Sequence, residues 1–132
     1  MSDITRRYHR DNPQSAAANK RANKYKYQAL IVWFLKSRGW RGATCDEAIM
    51  AIDPQKHQSI SPRFTELKQD EVIVPKIIWG EGRDAVPETR PTRTGSDAVV
   101  YVLAPGLEPP DHWTVEDIQK WLMSCPRRRH SA

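Results

Sequence analysis

The longest apolar pattern in the chain is YQALIVWFLKSRGW, residues 27–40. Tyr27, Leu30, Ile31, Phe34 and Leu35 recur at the spacing of one helical face. Ala29, Val32 and Trp33 lie off that face and are apolar too. Such a helix needs cover on more than one side, and Gly39 predicts its stop. Upstream, NPQSAAANKRA predicts a separate short helix over about 14–22, with Ser15 as its cap and alanines that favour helix.

Two shorter helical patterns follow. TCDEAIMAI opens on Thr44 with Glu47 three residues on, the pattern of a capping box. Its inner face is Cys45, Ala48, Ile49 and Ile52, and Asp53-Pro54 ends it. In SISPRFTELKQ, residues 59–69, Ile60, Phe64 and Leu67 form an apolar back. Ser61 reads as the N-cap and Pro62 as the first helical position. Ser59, Ser61, Arg63, Thr65, Lys68 and Gln69 form a polar front.

After Asp70 the period shortens. EVIVPKIIW reads as strand, broken or edged by Pro75. Residues 80–82, GEG, read as a turn. ETRPTRTGSDAVVYVLAP is a second β region, with a hairpin tip at Thr94-Gly95 or Gly95-Ser96. Near the end, Thr114 with Asp117 three residues on opens a last helix whose apolar face is Val115, Ile118, Trp121 and Leu122. That face predicts packing back on the 27–38 helix, within the chain or across a dimer. One core is expected to unite Tyr27, Leu30, Phe34, Ile49, Ile52, Phe64, Leu67 and Val100 or Tyr101.

The chain has 132 residues and a formal charge of +5, a length that suits one domain. The positive charge sits at the ends. Residues 1–28 carry +5 and residues 127–129 carry +3, whereas residues 29–126 carry −3. Charged tails of this kind either keep a protein soluble or grip phosphates. No run of roughly 18 apolar residues occurs, so no membrane span is expected. The start, MSDITRRYHRDNPQ, lacks the apolar stretch of a secretory signal. Cys45 and Cys125 read as reduced thiols of a cytosolic protein.

Catalytic chemistry finds little purchase. His9, His57, His112 and His130 show no metal-ligand spacing with each other or with cysteine. The acidic pairs Asp46-Glu47 and Glu116-Asp117 each fall in a first helical turn, where the helix dipole favours negative charge. No enzyme activity, metal or cofactor is expected.

Three helices followed by a basic hairpin give the order of a winged helix-turn-helix. The blocks NPQSAAA, GATCDEAI, SISPRFTEL and TRPTRTGSDAVVYVL occur in that order. Over residues 11–104 this set resembles small winged-helix proteins of bacteriophages and prophages. The resemblance implies an α+β, mainly α, fold: a three-helix core plus a β-hairpin wing, with a short N-terminal helix and a C-terminal helix. It divides the chain into a flexible basic arm (1–12), a winged-helix domain (13–104) with a wing insertion at about 75–88, a linker and C-terminal helix (105–126) and a basic tail (127–132).

The resemblance also implies a transcriptional regulator in the bacterial cytoplasm that binds double-stranded DNA. Ser59, Arg63, Thr65, Lys68 and Gln69 would contact the major groove, and Arg90, Arg93 and Thr94 would contact DNA from the wing. A solvated helix face and ordinary turn residues would look the same in sequence. Two departures from the pattern favour a rival role. Asp97 stands where wings of this kind commonly carry a basic residue, and the insertion PKIIWGEGRDAVPE is itself more acidic than basic. The rival is a phage protein that uses the same scaffold to bind and modulate a host protein, with Trp79 and Trp121 as anchors. Trp79 could equally pack within the wing. A weaker third role is an accessory protein that binds DNA without reading it. The C-terminal helix is the candidate seam for a homodimer.

Overall fold

No glycine or proline interrupts residues 14–38, and Pro13 suits a first helical position. In the computed structural model, which describes residues 13–79 and 85–124, Pro13–Arg38 accordingly form one continuous helix of 26 residues, α1. The separate helix expected over 14–22 is therefore the first part of α1. The buried side of α1 is Gln28, Ala29, Ile31, Val32 and Leu35. Tyr27, Leu30 and Phe34 are only half-buried, so the stripe is rotated from the expected one. The expected arm (1–12), Cys125 and the tail (127–132) lie outside the described residues.

Gly39–Arg41 form a 3-10 turn, and α2 spans Cys45–Ile52. The capping box is formed: the Glu47 amide donates to Thr44 Oγ1 at 3.1 Å, and the Thr44 amide donates to Glu47 Oε1 at 3.0 Å. Asp53 then caps a 3-10 turn, Pro54–Lys56, by accepting from the Gln55 amide at 3.0 Å. This turn runs straight into α3, His57–Gln69.

Helix α3 thus begins four residues before Ser61, and Pro62 lies inside it. Ser61 is not its cap. An internal proline removes one helical hydrogen bond, here to the carbonyl of Gln58. Gln58 is exposed, so water can satisfy that carbonyl. At its other end α3 closes in a Schellman pattern. The Val72 amide donates to the Leu67 carbonyl at 3.0 Å and the Glu71 amide to the Lys68 carbonyl at 3.1 Å. Glu71 takes the left-handed position, φ 62°.

The β region is three two-stranded antiparallel ribbons. Strands β1 (Ile73–Pro75) and β6 (Tyr101–Leu103) pair, as do β2 (Ile77–Trp79) with β3 (Ala85–Pro87) and β4 (Thr89–Pro91) with β5 (Asp97–Val99). They meet at three single residues whose backbones close a ring. The Lys76 amide donates to the Val100 carbonyl at 2.8 Å. The Glu88 amide donates to the Lys76 carbonyl, and the Val100 amide to the Glu88 carbonyl, both at 2.9 Å. Of the expected insertion 75–88, residues 77–79 and 85–87 therefore pair as a ribbon of their own, whereas residues 80–84, with the expected GEG turn, lie outside the described residues; the run 97–103 divides between two ribbons.

Ala43 exchanges both backbone hydrogen bonds with Tyr101, at 3.0 and 2.8 Å, on the edge of β6 away from β1. Gly42 makes this approach possible. Its φ is +65°, and a Cβ there would lie 2.6 Å from the Tyr101 carbonyl oxygen and 2.8 Å from a Val100 methyl.

The last helix, α4 (Val115–Ser124), carries the expected Thr114–Asp117 cap, with bonds of 3.0 and 3.3 Å. It packs along α1 in the same chain, the most extensive pairing between elements. Ile118 and Leu122 are buried in one cluster with Ala29, Ile31, Val32, Ile49, Phe64 and Leu67. Within the chain, this face of α4 thus covers α1. Among the described residues no helix is long and apolar enough to cross a membrane.

Two stability outcomes follow from this packing. Leu122→Ala should cost about 2–5 kcal/mol in urea unfolding, because the side chain is fully enclosed. Gly42→Ala should cost about 1–3 kcal/mol or more, since its methyl meets backbone rather than a flexible tip. A loss below about 0.5 kcal/mol in either variant would contradict the packing described.

Candidate nucleic-acid interface

The thirteen residues of α3 divide by helical spacing into four sides. Ile60, Phe64 and Leu67 are buried in the core. Opposite them, Gln58, Pro62, Thr65 and Gln69 are all exposed and point outward. One flank, with Ser61 and Lys68, turns toward β6. The Lys68 ammonium lies 5.2 Å from the centre of the Tyr101 ring, which meets Phe64 edge-on at 5.5 Å. The other flank, with Ser59, Arg63 and Glu66, turns toward α1.

Arg63 is therefore not the outermost residue of α3. Its Nε lies 3.1 Å from Glu66 Oε1. That distance marks an ion pair, although the angle is too poor for a hydrogen bond and Nε is otherwise enclosed. The same oxygen accepts from Gln28 Nε2 at 2.8 Å, and Lys24 lies 3.9 Å from the other. Ser59, Thr65, Lys68 and Gln69 are exposed as their proposed role requires. Ser61 is half-buried beside the Cys45 thiol. Burial pushes the Cys45 thiol up, against a smaller opposing pull from Ser61 and Lys68.

The β4–β5 hairpin carries the residues expected at the wing tip, and its arginines are engaged within the fold. Arg93 grips Asp46 through Nε at 2.9 Å and Nη2 at 2.7 Å. Arg90 reaches Glu47 at 2.7 Å and Glu88 at 3.3 Å, and also donates to the carbonyl of Arg41. Thr94 shares a 3.0 Å hydrogen bond with Thr92 at the tip. The acids that open α2 thus serve both the helix start and the wing.

The remaining ribbon presents apolar groups. Trp79 is 76% exposed and Trp40 64%. Ile77 and Trp40 line a groove of about 410 Å³ with Leu35, Val74, Val102 and Leu103. Lys76 crosses the Trp40 ring at 5.3 Å while pairing with Glu88 at 3.0 Å. Trp121 is half-buried and stacks edge-on with Trp113 at 6.3 Å.

The sequence pattern missed Gln58, Lys24, Lys56 and Trp40. Placing the start of α3 at Ser61 left Gln58 and Lys56 in a presumed loop. Asp53-Pro54 was the available signal, since a capped proline can open a helical run as well as follow one. Among the described residues no group of His, Cys, Asp or Glu is arranged to hold a metal ion. No protein-family model, curated protein or solved structure matches the chain.

The ring residue Glu88 yields a pH-dependent outcome. The Lys76 hydrogen bond, aided by the charges of Lys76 and Arg90 and opposed by burial, holds its carboxyl below the usual range. A lowered folded value means that Glu88 stabilises the fold above the ordinary carboxylate range. That stability is lost as pH falls through the lowered value. Glu88→Gln should therefore melt below the parent at pH 7, with a smaller gap at an acidic pH below the ordinary carboxylate range. An equal gap at both pH values would show that the charge is irrelevant.

Proposed function

We propose that this protein binds double-stranded DNA as a winged-helix regulator of phage type, with α3 in the major groove. The observation that carries the reading is the outward side of α3. Gln58, Thr65 and Gln69 form an exposed row of neutral hydrogen-bonding side chains. Lys68 stands on one flank and Lys24, Lys56 and Arg63 on the other. An amide can bond an adenine edge with two hydrogen bonds, and cations at the flanks suit the phosphates on either side of a groove.

The order of elements supports the same reading. A helix, a bridging residue, two helices, a strand, two ribbons and a returning strand follow in sequence, with β6 lying between Ala43 and β1. In this reading the wing stabilises α2 more than it grips DNA, because Arg90 and Arg93 already hold Glu47 and Asp46.

A second reading has its own observation. The exposed Trp40 and Ile77 line an apolar groove and the exposed Trp79 ends the same strand as Ile77; such groups suit a host-protein surface, since tryptophan is prominent among binding hot spots. Helix α3 and this ribbon are separate parts of the molecule, so one chain can serve both roles.

The test is selection of duplexes from a random pool, followed by variants. Gln58→Ala and Gln69→Ala should each weaken the selected duplex by about 1–3 kcal/mol and relax its sequence preference. Lys68→Ala should weaken all duplexes alike and flatten the salt dependence. Trp79→Asp should leave DNA affinity unchanged. Full affinity in both glutamine variants, at unchanged melting temperature, would remove α3 from the interface.

A further inference from the structure

We infer that a pocket between α1 and α3 clamps one phosphate group of the nucleic-acid backbone; the inference rests on the DNA reading and adds a defined contact beside the groove. The pocket has a volume of about 340 Å³. It is lined by Lys24 of α1, Lys56 ahead of α3 and Arg63 of α3, with Asn23, Gln58 and Ser59 between them. Three cations from three elements converge on one concavity, and among the described residues its lining includes no carboxylate.

The nearby countercharge is a single group. Glu66 serves Arg63 at 3.1 Å and Lys24 at 3.9 Å and also accepts from Gln28. One carboxylate shared by two of the three cations, with no ion pair to Lys56 among the described residues, leaves a positive excess that a phosphate would neutralise. The geometry of Arg63 fits this role. Its Nε edge is turned to Glu66, and its two Nη groups carry no hydrogen bond among the described residues. That pair forms the fork that suits two phosphate oxygens. Lys24 and Lys56 supply point charges, and Ser59, Gln58 and Asn23 supply neutral donors. The chemistry opposes an apolar ligand and a cation alike.

The location ties the pocket to α3. Gln58 belongs both to the pocket lining and to the outward row. A backbone phosphate seated here would fix the register of the duplex against that row, while carrying no sequence information itself. Arg63 is then a phosphate contact rather than a reader of bases.

The experiment compares the parent chain with a Lys24→Gln/Lys56→Gln double variant on selected and random duplexes over a range of salt. Loss of one phosphate contact should make the slope of log affinity against log salt shallower by about 0.9. The loss should be equal on both duplexes, the melting temperature should hold, and Lys24→Arg/Lys56→Arg should restore the slope. An unchanged slope in the double variant, with the Gln58 and Gln69 variants still impaired, overturns the clamp alone. Absence of duplex binding by the parent overturns the clamp together with the DNA reading. Inorganic phosphate at constant ionic strength separates a free-ion site. If phosphate raises the melting temperature of the parent but not of the double variant, while the DNA slope is unchanged, the backbone assignment is overturned.

Discussion

Helix α1 is the element to which the others answer. Between Gln28 and Leu35 it buries five side chains almost completely, and they span nearly half of its circumference. A surface that wide cannot be covered by α2 and α3 alone, so α4 must lie along it. Burial at this scale, at roughly 1.5–3 kcal/mol per large apolar side chain, offsets the entropy of ordering a segment that the linker 105–114 would otherwise leave at large. Gln28 shows the same constraint in polar form. Fully enclosed beside apolar neighbours, it must place its amide, and it does so on Glu66 of α3. The orientation of α3 is therefore tied to α1 by a hydrogen bond as well as by Phe64 and Leu67.

The second organising feature is the backbone ring of Lys76, Glu88 and Val100. A hairpin inserted into a sheet must find partners for the backbone groups at its point of entry. Here three strand pairs part at one place, and the amide and carbonyl of each junction residue are satisfied by the other two. Side chains follow the same circuit. Lys76 pairs with Glu88, Glu88 with Arg90, and Arg90 with Glu47 at the start of α2. An extra ribbon could thus be carried without disturbing α3, because its root is closed on itself. The outer end of that ribbon is left to expose Trp79.

How much of this was legible follows from the range of each signal. The capping boxes at Thr44 and Thr114 and the stripe Ile60, Phe64, Leu67 were readable because each depends on residues three or four apart. The stop at Gly39 and the tip near Gly95 were readable for a similar local reason. The rotation of the α1 stripe was not. Tyr27 and Leu30 are as apolar as Ala29 and Val32, and only the position of α4, some ninety residues away, decides which are enclosed. The start of α3 was misplaced because Ser61-Pro62 imitates a cap, while the side chain that is used, Asp53, caps the 3-10 turn leading into α3 and α3 itself starts without one. The ring was illegible in principle, since it joins the backbones of residues twelve and twenty-four apart, which leave no local pattern. Arg90 and Arg93 were found as cations, but their partners Glu47 and Asp46 stand 43 and 47 residues away on another element, beyond the reach of any local pattern.

Those partners also resolve an apparent conflict in charge. Residues 29–126 are net acidic, which would count against a nucleic-acid surface if charge were spread evenly. It is not spread evenly. Asp46, Glu47, Glu66 and Glu88 each face a cation inside the fold, and Asp111 and Asp117 are held by Lys36 and by the start of α4. Partial neutralisation shortens the reach of those acids, and the outward row of α3 is made of neutral groups. What a duplex would meet is a local arrangement, an uncharged row edged by Lys68 on one side and by Lys24 and Lys56 on the other. Screening at physiological salt limits the influence of charges more than about 8 Å away. The composition of a 5 to 10 Å neighbourhood, rather than the sum over a domain, therefore decides whether that side of the molecule attracts phosphate.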